Sequence, residues 1–144
     1  MKSLLLTVAI LAALPLASAD DRDKSATGPA QAAQKFYDAY MQVLRAGGDT
    51  QKFVLASRAV TQGFLKAYRK LIADGMDSDP VICGQDDPDK GFEASPADIE
   101  GEKAFVTMKS RGDEFTHSFK VTLRRVDGTW LISDTNDLKA DADD

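Results

Sequence analysis

One cysteine, Cys83, and one histidine, His117, are all the thiol and imidazole that these 144 residues contain. A lone cysteine cannot close an internal disulfide. A lone histidine excludes metal centres built on several imidazoles. No Walker loop, G-x-G-x-x-G, G-x-S-x-G or H-E-x-x-H is present, so no catalytic residue, cofactor or metal is implied. Positive charge is also in deficit: 18 Lys and Arg stand against 23 Asp and Glu, a net charge of −5. That balance disfavours nucleic acid and anionic lipid as partners.

There is one long apolar run, and it is at the start. Met1-Lys2-Ser3 is a short positive opening, Leu4–Leu16 is apolar, and Ala17-Ser18-Ala19 supplies small residues for a peptidase. This is the pattern of a signal peptide over residues 1–19, cleaved between Ala19 and Asp20. As a helix, Leu4–Leu16 would span about 20 Å, short of the roughly 30 Å hydrocarbon core, so it is not read as a transmembrane anchor. A lipid anchor would need a cysteine where Asp20 stands. An N-terminal core helix is disfavoured because the run has no polar face. The expectation is a periplasmic or secreted protein with a polar, disordered leader over 20–28 and an acidic, disordered tail over 137–144.

Between those ends lies one domain, residues 29–136. Ala33, Phe36, Tyr37, Tyr40, Met41 and Leu44 recur at helical spacing after Pro29, and Gly47-Gly48 ends the helix. Gln51–Ala56 reads equally as a short helix or a connector. Ser57 caps a second long helix, expected over 58–73, with Val60, Phe64, Ala67, Tyr68, Leu71 and Ile72 inward. A polar loop, 77–90, carries Pro80, Pro88 and the apolar trio Val81-Ile82-Cys83. Burial as a small apolar group is the ordinary reading of Cys83.

The period then changes to two. Glu102–Ser110 reads as a strand and Arg111-Gly112-Asp113 as a turn. Phe115, His117, Phe119, Val121 and Leu123 alternate along a second strand with one buried face. Asp127-Gly128 marks a hairpin, and Trp130-Leu131-Ile132 begins the last strand. Phe92–Glu100 is a candidate further strand, weakened by Pro96 and so suited to an edge. The fold class is α+β: two or three N-terminal helices packed on a curved antiparallel sheet of three to four strands.

Phe36-Tyr37 with Tyr40, Asp77-Ser78-Asp79-Pro80, Gln85-Asp86 and Gly128-Thr129-Trp130-Leu131-Ile132 carry a resemblance. The order of helices followed by a meander resembles the cone-shaped nuclear-transport-factor-2-like, or cystatin-like, fold. More closely it resembles the YbjP-like bacterial envelope family of unknown function, over roughly Pro29–Asn136. The resemblance implies an exported domain with no established reaction. The lipid-bearing cysteine of some members is missing here, so membrane tethering is not implied.

Folds of this shape often hold a pocket between helices and sheet. His117 on the apolar face, with Tyr37, Tyr40, Asp79, Gln85 and Asp86, is the candidate lining. The ordinary alternative has His117 bonded to backbone near a sheet end, and Asp79, Gln85 and Asp86 bonded to their own loop. Asp77, Asp79, Asp86, Asp87, Asp89 and Glu93 match no calcium loop. The leading functional expectation is a binding domain for a protein or small ligand of the envelope. One alternative is a pocket enzyme using His117 with a carboxylate as acid and base. Another is an immunity or inhibitor protein.

Overall fold

Helix α1 (Pro29–Arg45) follows from the 3.6-residue repeat of its apolar side chains, which buries Ala33, Phe36, Tyr37, Tyr40 and Met41 on one face. These coordinates, a computed structural model, describe residues 27–112 and 116–140. The expected signal peptide, most of the leader, Asp113, Phe115 and the last four residues lie outside the described residues. Pro29 opens α1 where its missing N–H costs nothing, and Gly47 at φ 67° turns the chain away. The ambiguous segment is helical: α2 (Thr50–Leu55) is capped by the Asp49 side chain, which accepts from the Lys52 N–H.

The next helix starts later than Ser57 suggests. Helix α3 (Gln62–Asp74) is capped by Thr61, whose hydroxyl accepts from the Phe64 N–H. The preceding residues are used otherwise. The Thr61 N–H bonds the Ile132 carbonyl, the Ile132 N–H bonds the Ala59 carbonyl, and Val60 lies parallel to Ile132. Ser57 accepts from the Ala59 N–H in a local turn. Extended backbone on the sheet edge thus wins over a longer helix. Val60 is buried there rather than on a helix face.

The sheet has five antiparallel strands: β1 (Phe92–Ala94), β2 (Asp98–Glu100), β3 (Lys103–Ser110), β4 (Ser118–Val126) and β5 (Thr129–Thr135). Their order is β1-β3-β4-β5, with β2 also paired to β3. This exceeds the expected three to four because Pro96 breaks the stretch 92–100 into two short strands on one edge of β3. Phe92 pairs with Ser110, and Asp98 with Phe105. Asp127 and Gly128 both take positive φ, 50° and 79°, as a two-residue hairpin between β4 and β5 requires.

One sheet face presents Ala104, Val106, Met108, Phe119, Val121, Leu123, Trp130 and Ile132 to the helices, all buried. Gln34, a polar residue of α1, pins β1: its amide donates to the Phe92 carbonyl and its oxygen accepts from the Ala94 N–H. The packed chain also runs past Asn136. Leu138 is buried, with its N–H on the Thr135 hydroxyl, and the Ala140 N–H bonds Asp134. The expected tail at 137 therefore begins within the domain. Among the described residues no helix is long and apolar enough to cross a membrane.

Candidate functional site

The polar residues singled out in the sequence meet around the loop between α3 and β1. Asp79 and Gly84 close that loop on itself, the N–H of each donating to the carbonyl of the other at 3.0 and 3.2 Å. Cys83 takes φ 52°, a left-handed turn that a non-glycine residue adopts only when its surroundings hold it. Val81 and Ile82 are inserted as a buried plug.

A buried turn must find partners for its own carbonyls. Three side chains from three elements supply them. The Thr135 hydroxyl, at the end of β5, donates to the Pro80 carbonyl at 2.7 Å. The Tyr37 hydroxyl, from α1, donates to the Val81 carbonyl at 2.9 Å. His117 Nε2, just before β4, stands 2.7 Å from the Ile82 carbonyl. A carbonyl only accepts, so Nε2 carries the proton and the neutral ring is the Nε2–H tautomer. The Asp79 carboxylate completes the clasp, accepting from the Val81 N–H at 2.8 Å and from the Tyr40 hydroxyl at 2.5 Å.

Tyr37, Tyr40, Asp79 and His117 are therefore brought together, but around a segment of backbone. Gln85 joins Tyr40 and Asp79 on the wall of an adjoining cleft, its amide donating to the Asp77 carbonyl, and Asp86 is exposed. Two participants escaped the sequence reading. Thr135 looks like any strand threonine, and the Pro80, Val81 and Ile82 carbonyls have no side-chain signature. Cys83 is half-buried rather than buried, with its thiol 3.6 Å from the Pro80 carbonyl.

Burial dominates the electrostatics of the clasp. Burial pushes the Tyr37 phenol well above its ordinary value, helped by Cys83 and Asp79 nearby. Burial and then the Asp79 charge push Tyr40 up too, and the same causes move Tyr68 up to about 12. Burial raises the Cys83 thiol. All three phenols stay protonated donors at neutral pH. A cleft of about 410 Å³ opens beside the clasp, with Tyr40, Tyr68, Asp77 and Asp79 on its wall. Among the described residues no three His, Cys, Asp or Glu side chains converge as a metal site.

Replacing His117 with Ala is expected to orphan the Ile82 carbonyl and cost about 1–3 kcal/mol in urea unfolding. His117→Gln, which keeps a donor, should cost less. Equal stability of His117→Ala and wild type would show that the bond to Ile82 carries no weight.

No family model and no curated protein matches the chain. Two solved structures share the fold. A protein of unknown function from Bacteroides thetaiotaomicron is 20% identical, with a TM-score of 0.59 over 81% of this chain and 95% of that one. A chain of the type VI native effector–immunity complex Tae3–Tai3 from Ralstonia pickettii is 23% identical, with a TM-score of 0.63 over 77% of this chain and 95% of that one.

Proposed function

We propose that this chain is an exported interaction protein of the bacterial envelope, of the immunity kind: it binds a toxic protein partner and holds it inactive. The observation that carries this reading is the match to nearly the whole length of a chain from an effector–immunity complex. The site supports it from another side. His117 Nε2 and the Tyr37 hydroxyl are committed to backbone carbonyls, and burial keeps the Cys83 thiol protonated. The signal-peptide pattern of residues 1–19 and the resemblance to YbjP-like envelope proteins support an encounter outside the cytoplasm.

The test is protection in living cells. A strain lacking the gene is expected to lose viability in dense contact with its parent. It should recover when the gene is restored with its leader and stay sensitive when the leader is removed. Equal survival of the deletion strain and its parent would overturn the immunity reading.

A further inference from the structure

At the opposite end of the sheet from the clasped loop, the start of α3 and the ends of β3, β4 and β5 enclose an open groove of about 920 Å³. Val126 and Leu131 give it apolar surface, and Val126 is 42% exposed. Among the described residues its charged lining is Lys66, Lys103, Arg124 and Arg125 against the acid Glu102. The chain as a whole is net acidic, so this groove runs against the sign of its own protein. The first turn of α3 also faces it through Thr61, Gln62 and Gly63, adding the positive end of a 13-residue helix.

Arg125 is built as an anchor. Its guanidinium lies over the Trp130 ring, 4.9 Å from the centroid. One terminal nitrogen reaches the Gly101 carbonyl at 3.5 Å. Glu102 stands 3.6 Å from Nε, and among the described residues that buried nitrogen has no hydrogen-bond acceptor. The side chain is thus ordered in advance. Stacked arginine beside tryptophan is the composition in which binding energy concentrates at protein interfaces.

We infer that this groove is the docking site for an acidic segment of a protein partner, with carboxylates on the cationic wall and an apolar side chain against Val126 and Leu131. Charge complementarity selects this occupant. An open groove does not enclose most of a small ligand, as small-molecule pockets do. The net negative charge of the whole chain opposes a polyanion as long as a nucleic acid. The inference rests on the proposed interaction role and assigns it a surface.

The probe is a short labelled synthetic peptide rich in Glu with two Leu anchors, compared with its Gln and Lys counterparts, on the purified protein. Trp130 is the only tryptophan and borders Arg125, so its emission reports occupancy of the groove. The Glu peptide is expected to bind, to weaken as salt rises, and to shift amide resonances at 60–63, 102–103 and 124–131. Lys103→Glu with Arg124→Glu should weaken it by at least about tenfold, while Lys52→Glu on α2 leaves it unchanged. Equal binding of the Gln or Lys peptide, resonance shifts elsewhere, or an unaffected charge-reversed variant would overturn the inference. So would dodecanoate or oligothymidylate filling the groove in place of the peptide. The two readings fail separately. If the charge-reversed variant still protects cells, the groove is wrong and the immunity reading stands. If the peptide binds as expected while the deletion strain survives, the immunity reading falls and the groove remains.

Discussion

Cutting Phe119 back to alanine is expected to destabilise the domain by about 3–5 kcal/mol, the usual cost of removing a buried phenylalanine. Phe119 is 4% exposed and is the common neighbour of three rings: Tyr37 at 5.3 Å, Phe92 at 5.1 Å and His117 at 5.6 Å between centroids. The lost surface and the cavity account for most of the cost. The ring pairs add about 0.5–1.5 kcal/mol each at most. Against a total stability of about 5–15 kcal/mol this is a large fraction.

The effect should not stop at the core, because two of those rings are the clasp. Tyr37 and His117 hold the Val81 and Ile82 carbonyls, and Phe119 holds Tyr37 and His117. The urea midpoint should fall with little change in slope, the sign of a stability loss without a change in what unfolds. Amide exchange at Asp79, Val81 and Gly84, the hydrogen-bonded N–H groups of the turn, should accelerate more than the global loss accounts for. Turn amides that follow only the global loss would show that core and clasp are uncoupled.

The sequence reveals one half of this arrangement and hides the other for a physical reason. Helix α1 is legible because Pro29, a single apolar stripe and Gly47 all agree. The β4–β5 hairpin is legible because only a few residue types accept the positive φ that Asp127 and Gly128 adopt. The start of α3 is not, because Ser57 and Thr61 are both good caps. The choice between them depends on Ala59 and Thr61 bonding Ile132, more than seventy residues along the chain. Gln34 misleads in the same way: its polarity says water, and its partners are the backbone of β1. At the site, tyrosine, histidine and aspartate on apolar faces announce that something polar is buried. They do not announce that it is the backbone of Pro80–Ile82, because carbonyls are common to every residue.

The second large effect belongs to Asp79. Asp79→Ala takes the acceptor away from the Tyr40 hydroxyl and the Val81 N–H together, and both of those residues are buried. A donor left without its acceptor costs about 1–3 kcal/mol, less for the Tyr40 hydroxyl because the cleft admits water to it, so the variant should lose about 2–4 kcal/mol and free the loop. Asp79→Asn keeps a carbonyl oxygen and should lose less, with a distinctive pH dependence. Burial raises the Asp79 carboxyl above its ordinary value of 3.8. The bonds from Tyr40, Val81 and Ile82 pull it down only in part, and Asp87 adds to the rise. The fold therefore binds this proton more tightly than the unfolded chain does. Its contribution is fully present below the unfolded value and is lost as pH rises through the raised folded value. Asparagine has no such proton. The deficit of Asp79→Asn relative to wild type should be greatest in acid and shrink as pH rises toward neutrality. Urea unfolding of both proteins across that range measures it. A deficit that grows with pH would mean that the ionised carboxylate is the form the clasp prefers, and that the bonds from Tyr40, Val81 and Ile82 outweigh the cost of burying the charge.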